Sequence, residues 1–300
     1  MCMKYVKWLL CLEAILLLCS FPSSSNAYNQ KPFTFVWMTD TQYYAKKYPE
    51  ILQKQLSWIV NNRESEDIRY VLHTGDLVHN ATDPLQWERA HLLLRMLDAE
   101  QIPYGVLPGN HDLEQQQEKY QSYYYYFGEH RFNSQASYGG SYQNNYGHYD
   151  LLEAGDTQFL IVHMGWKPTK NSIKWMNDIL KSHREAYAIL AFHDYVSISG
   201  RRSKDGEKLF QKVVKKNENV KLVLSGHYYG NRELVTDVEG RKVYQLLSNF
   251  QAFPRGGKGY MRLLTFDPVQ KLISIKTYSP YLSSGYKEHL QIPFENLSSN

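Results

Sequence analysis

Cysteine is almost missing from this 300-residue chain: Cys2, Cys11 and Cys19 are the only three, all among the first twenty residues. Beyond them no disulfide can form and no thiolate can hold a metal, so any ion must rely on His, Asp, Glu, Asn, Gln or Tyr. No apolar run reaches the roughly 20 residues that a helix needs to cross a bilayer, which argues against a multi-pass membrane protein. Charge of one sign is lacking too. The 34 Lys and Arg are spread along the chain with 30 Asp and Glu, a formal charge of +4, and no basic stripe of the nucleic-acid-binding kind appears. At 43% hydrophobic and 21% charged residues the composition is globular, which excludes collagen-like, coiled-coil and disordered chains. Tyr is in excess, at 25 residues.

The first residues read as an address. Lys4 and Lys7 precede an apolar run from Trp8 to Cys19, broken only by Glu13, and small residues follow up to Ser25-Asn26-Ala27. This is the pattern of a secretory signal peptide over residues 1–27, cleaved after Ala27, and it places the protein outside the cell or at its surface. A lipoprotein acylated at Cys19 ranks lower, because Leu18 is bulky where a small residue is preferred. Residues 28–300 then form one domain, large enough to bury a core without staples.

A strand–helix rhythm follows. Strands are expected at Phe33–Met38, Ile68–Leu72 and Tyr104–Leu107, with helices at 49–63 and 83–99 between them. That alternation indicates an α/β core with a largely parallel sheet. The rhythm stops at residues 113–149, a tyrosine-rich insertion holding Tyr123-Tyr124-Tyr125-Tyr126-Phe127, read as packed by its own aromatics. Further strands are expected at Tyr149–Leu152, Gln158–Met164, Ala188–Phe192 and Val220–Leu224, with helices at 172–181 and 204–216, and antiparallel strands close the chain. The glycine-rich stretch 253–259, with Arg255, reads as an ordinary loop.

Five strands finish on polar residues able to bind metal: Asp40, Asp76, Asn110, His193 and His227, at intervals of 36, 34, 83 and 34 residues. Three intervals match one βαβ step, and the long one contains the insertion. Ligands of open α/β sheets bind beyond the carboxyl ends of strands, so the five should converge. Two carboxylates, an amide oxygen and two imidazoles suit Mn, Fe, Zn or Co, and the absence of thiolate argues against a closed structural zinc. Two ions bridged by a shared carboxylate are a known device for displacement at phosphorus, generating hydroxide near neutral pH. His111 follows Asn110 and is placed to protonate the leaving oxygen, with Asp112 or Asp40 orienting its ring.

These stretches resemble the calcineurin-like metallophosphoesterase superfamily, whose signature runs Asp-x-His, Gly-Asp, Gly-Asn-His-Asp/Glu, a lone His and Gly-His-x-His. The matching residues are Asp40-Thr41-Gln42, Gly75-Asp76, Gly109-Asn110-His111-Asp112, His193 and Gly226-His227-Tyr228-Tyr229. The resemblance covers about Phe33 to Pro280. It implies a four-layer α/β/β/α sandwich of two mixed sheets flanked by helices, one or two divalent ions per chain (Mn, Fe, Zn or Mg), and a phosphorylated substrate held by Asn110 and His111. It also implies that Asp76, Asn110, His193 and His227 make one complete metal site. The other site keeps Asp40 and Asp76 but has Gln42 and Tyr229 where the family has His. An all-oxygen site of that kind prefers a harder ion. Asp-Thr-Gln is similar to a secreted bacterial group of the family that carries Gln there. Two readings follow: a secreted phosphoesterase, or a binding protein on the same scaffold that has lost catalysis with those two His. His73, His91 and His163 read as core or surface residues, and His79, close to Asp76, as a lesser candidate for the site.

Overall fold

The structure is a computed structural model that describes residues 31–114 and 119–294. Residues 1–27, read above as a signal peptide, lie outside the described residues. Among those described, no helix is long and apolar enough to cross a membrane.

Thirteen strands make two mixed sheets among the described residues. In the first, β1 (Phe33–Met38), β2 (Ile68–His73) and β3 (Tyr104–Val106) run parallel, and β11 (Met261–Asp267), β12 (Leu272–Ser279) and β13 (Ser284–Pro293) continue antiparallel from β1, in the order β13-β12-β11-β1-β2-β3. The second joins β4 (Tyr138–Tyr142), β5 (Gly147–Ala154), β6 (Thr157–Met164), β7 (Tyr187–Phe192), β8 (Val220–Ser225), β9 (Gly230–Val238) and β10 (Arg241–Asn249). Its order is β4-β5-β6-β7-β8-β10-β9, with β6, β7, β8 and β10 parallel. The largely parallel sheet expected from the rhythm is thus two mixed sheets: in the first the parallel strands run out to the edge at β3 with antiparallel strands on the other side, and in the second a parallel centre has antiparallel strands at both edges.

The strand sequences explain the layering. All six residues of β1 are buried, as a run that is apolar except for Thr34 requires of a strand covered on both faces. Phe33, Phe35 and Trp37 point between the sheets, where they meet Phe159, Ile189, Leu222 and Phe266. Val36 and Met38 point the other way, into a cluster with helix residues. Those helices are α1 (Gln42–Lys47), α2 (Pro49–Asn61), α3 (Pro84–Ala99), α4 (Gln121–Phe127), α5 (Glu129–Phe132), α6 (Lys170–Ser182) and α7 (Lys204–Lys212). In α2, Leu52, Leu56 and Ile59 form the buried stripe. Asp83 caps α3, accepting from the Leu85 amide at 3.0 Å, with Pro84 in the first turn.

The segment 113–149 does more than pack on itself. Trp87 of α3 stacks on Tyr126 and meets Tyr123 edge-on, and β4 with β5 extends the second sheet. The inter-sheet core is aromatic: Phe266 lies within 5.3 Å, centroid to centroid, of Phe33, Phe35, Phe159 and Phe294. Replacing it with Ala should cost about 3–5 kcal/mol, because the ring leaves a cavity that its neighbours cannot fill. Urea denaturation of Phe266→Ala checks this. A loss under about 1 kcal/mol, on the scale of an exposed position, would show that the two sheets do not pack here as described.

Candidate metal centre

The parallel strands of both sheets end on one side, and the turns after them carry the site. Asp40 follows β1, Asp76 follows β2, Asn110 follows β3, His193 follows β7 and His227 follows β8. Three of the five adopt left-handed backbone: φ is 50° at Asp40, 57° at Asp76 and 68° at His227. Non-glycine residues rarely hold that conformation, and such strain clusters where function demands a particular side-chain direction.

The groups do converge. Ligand atoms of Asp40, Asp76 and His193, all buried, lie within 4.8 Å of one another. His193 Nε2 is 3.3 Å from Asp76 Oδ1 and 3.0 Å from Asn110 Oδ1. Its Nδ1 donates to the Thr74 carbonyl at 2.8 Å, which fixes the ring and leaves Nε2 facing the cage. The His227 amide donates to both oxygens of Asp40, at 3.1 and 3.2 Å, and the His111 amide donates to Asp76 Oδ1 at 3.0 Å. Close packing of backbone makes the cage possible: a Cβ on Gly109 would stand 2.2 Å from Asp76 Oδ1, and one on Gly226 2.3 Å from Asp40 Oδ2.

Electrostatics show what the cage is built for. Burial, and then the neighbouring Asp76 charge, hold the Asp40 carboxyl above its ordinary range. Burial opposes charge on Asp76 as well, but His193 outweighs it and the pKa of Asp76 falls. Burial alone would lower His193; Asp76 and Asp40 instead raise it to about 10. His227 falls to about 4 through burial and the charge of His193, so its ring stays neutral. Two buried carboxylates therefore demand a positive charge between them, which a proton on His193 supplies when nothing else does. The donor set of carboxylate, amide oxygen and imidazole fits a divalent ion at the same place.

The second site is arranged differently. Gln42 is buried, and its Nε2 donates to Asp76 Oδ2 at 3.0 Å. Its Oε1 is buried without a hydrogen-bond partner, an oxygen left free for an ion. Tyr229 is half-exposed on the wall of a cavity of about 380 Å³, with Asp76, Asn110, His111 and His227.

His111 Nδ1 lies 2.9 Å from the His79 carbonyl, which can only accept, so Nδ1 carries the proton. That carbonyl, rather than Asp112 or Asp40, orients the ring. Asp112 acts on the backbone instead. Its buried carboxylate accepts from the Leu77, Val78 and Gly109 amides at 3.2, 3.0 and 2.8 Å, tying the second and third ligand turns together. His79 reaches the site by its backbone and by stacking on His111, with Tyr43 on its other side. Arg255 bonds the Tyr281 hydroxyl at 2.6 Å. Trp166, whose ring lies 4.8 Å from His227 and 5.5 Å from His193, was not singled out in the sequence. It follows β6, so the strand-end rule that singled out the candidate ligands also reaches it.

Because His193 must lose its proton to bind an ion, metal uptake at about pH 7.5 should release about one proton per ion. Calorimetry in buffers of different ionisation enthalpy reads this directly. Uptake with no proton release would show that His193 is not a ligand.

A family model described as calcineurin-like phosphoesterase matches residues 33–230. The uncharacterized protein YvnB of Bacillus subtilis (strain 168) is 48% identical over 257 residues, 83% of this chain; the chain spans only 20% of that relative. A dimetal phosphatase from Danio rerio superposes with a TM-score of 0.58 at 13% identity, covering 88% of this chain and 99% of the other. The purple acid phosphatase PPD1 of yellow lupin seeds gives 0.59 at 14% identity, covering 88% and 54%. GAP50, the anchor in the inner membrane complex of Plasmodium, gives 0.57 at 14%, covering 88% and 89%. These structures share the fold, and the family match spans every candidate ligand: the chain belongs to the calcineurin-like phosphoesterase family.

Proposed function

We propose that the chain hydrolyses a phosphomonoester or phosphodiester outside the cell, with one or two divalent ions in the strand-end cage. The observation that carries this is the convergence of Asp40, Asp76, Asn110, His193 and His227 from five separate turns, with His111 beside them. When bound, the ions supply a nucleophile near neutral pH and neutralise charge on the phosphoryl oxygens.

The chain's own groups do the rest. His111 lines two hollows at once: the cavity over the cage, and a neighbouring one of about 600 Å³ lined also by Lys46, His79, Asn80 and Gln86. A phosphoryl group over the cage therefore puts the leaving group in the larger hollow and the ester oxygen at His111. With Nδ1 anchored on the His79 carbonyl, Nε2 delivers the proton to that oxygen, while Asn110 and His111 hold the phosphoryl group. Lys46 gives the leaving-group hollow a cation, which favours leaving groups that carry a further negative charge.

A second reading is favoured by one contact. Gln42 Nε2 already donates to Asp76 Oδ2 and so engages part of the carboxylate that a second ion would need. A chain holding one ion or none, and binding a phosphorylated ligand without turnover, would use the same cage. Ion counting under saturating Mn²⁺ separates the two: two ions with turnover support the enzyme, while none or one with no turnover on a panel of phosphoesters supports the binding protein.

For the enzyme, His111→Asn should lower kcat by roughly 10²–10⁴ on an alkyl phosphate, and far less on a nitrophenyl ester whose leaving group needs no proton. Equal losses on both would remove His111 from the role of general acid. Export makes its own prediction: protein recovered outside the producing cell should begin at Tyr28, and a first residue at Cys19 carrying lipid would replace that reading.

A further inference from the structure

The cavity over the cage has walls that a bare phosphoryl group does not use. About 380 Å³ in volume, it is lined beyond the cage residues by Ile198, Tyr228, Tyr229 and Gln251. That volume lies in the range of sites that take whole small molecules, and a phosphoryl group fills only part of it. Ile198 and Tyr229 are 54% and 50% exposed, large apolar side chains left in water. One such residue alone is ordinary on a protein surface. Two on the wall of one cavity, beside the candidate ligands, offer a surface that an apolar group would cover.

The wall is held in place. Residues 196–202 form a small hairpin, closed by a bridge between Val196 and Arg202. Within it the Ser197 amide donates to the Arg201 carbonyl at 2.8 Å and the Gly200 amide to the Ser197 carbonyl at 2.9 Å. Arg232 anchors the tip: its Nε donates to the Ile198 carbonyl at 2.8 Å and its Nη1 to the Asn231 carbonyl at 2.7 Å. Tyr228 meets the His227 ring edge-on, with centroids 4.6 Å apart. The Gln251 amide donates to Asn249 Oδ1 at 2.9 Å, and Asn249 Nδ2 donates to the His227 carbonyl at 3.1 Å.

Charge points the same way. Among the described residues, no Lys or Arg lines this cavity. A phosphomonoester is largely a dianion near neutral pH, its second pKa being about 6, and such groups are ordinarily met by Arg or Lys. A phosphodiester carries one negative charge and two arms. Lys46 is the only Lys or Arg among the described residues lining the two hollows, and it lies in the larger, leaving-group one. His111 lines both, so a phosphoryl group beside it has room for an arm in each.

On the reading of the cage as a phosphoesterase centre, on which this rests, we propose that the substrate is a phosphodiester. Its departing arm lies in the hollow of Lys46, and its retained arm, apolar or aromatic, lies against Ile198, Tyr228 and Tyr229. One water is consumed. Its oxygen bonds to phosphorus, and the bond from phosphorus to the departing oxygen breaks, the electron pair going to that oxygen. The departing oxygen takes a proton from His111 Nε2; one proton of the water replaces it and the other goes to solvent. A phosphomonoester bearing the retained arm is released. Its second charge has no match in the cavity, so hydrolysis stops after one arm.

Three substrates with one leaving group test this on the protein saturated with Mn²⁺: phenyl para-nitrophenyl phosphate, methyl para-nitrophenyl phosphate and para-nitrophenyl phosphate. Both diesters should exceed the monoester in kcat/KM by about 10–100-fold, the worth of one unmade hydrogen bond to a charged group. Phosphorus NMR should show phenyl phosphate accumulating from the first. Ile198→Ser should raise KM for the phenyl diester about 3–10-fold, since half of an isoleucine side chain loses its apolar cover, and far less for the methyl diester. A readout without turnover uses methylphenylphosphinate and dimethylphosphinate, monoanions with no ester bond to break. Calorimetry should find the phenyl compound bound more tightly by the wild-type protein, and Ile198→Ser should erase the difference. A monoester turned over as well as the diesters, equal binding of the two phosphinates, or a phenyl preference that survives Ile198→Ser would overturn the diester inference and leave the phosphoesterase standing. No turnover of any of the three substrates would remove both.

Discussion

Two carboxylates buried side by side are the constraint on which the site depends. Asp40 and Asp76 are each 1% exposed, and burying like charges together is costly unless positive charge lies between them. The chain offers partial remedies. Backbone amides of His227 and His111 point at the two carboxylates, and His193 takes up a proton that burial alone would deny it. None of these supplies a full double charge. A divalent ion does, so the apparent waste of burying two aspartates becomes binding energy for that ion.

Holding the carboxylates there takes a fold that can aim short side chains from far apart in sequence. The parallel strands of both sheets end on a common side, and the turns after them adopt left-handed backbone at Asp40, Asp76 and His227. Gly109 and Gly226 let neighbouring turns come within bonding distance of the ligands. Asp112 ties two turns through three backbone amides, and Asn249 ties a third by donating to the His227 carbonyl at 3.1 Å. The chemistry lies in the side chains, but their precision lies in these backbone bonds.

Much of this was legible in the sequence, for a physical reason. A buried parallel strand must be apolar to its last residue, so a strand such as Phe33–Met38 that gives way abruptly to Asp40 marks a place where burial is traded for function. That contrast singled out the five candidate ligands, which the fold brings together, and His111 beside them. It did not locate the partner of His111, because a backbone carbonyl leaves no mark in the residue type: the His79 carbonyl does what Asp112 was expected to do. The division into two sheets was equally hidden in the strand rhythm, since which strands pair across long separations is decided by tertiary packing; only the family resemblance carried it. His163 was read as a core or surface residue, and it is buried in the core. Its incomplete bonding emerges only where β5 and β6 bring it against His148.

The departures at Gln42 and Tyr229 bear on how many ions the cage holds, while Asp76, Asn110, His193 and His227 bear on whether it holds any. The most direct measurement is therefore anomalous diffraction from crystals grown in Mn²⁺. The account predicts a peak bonded to Asp76, Asn110, His193 and His227. A well-ordered crystal, saturated with Mn²⁺, with no anomalous density among those four residues would contradict it.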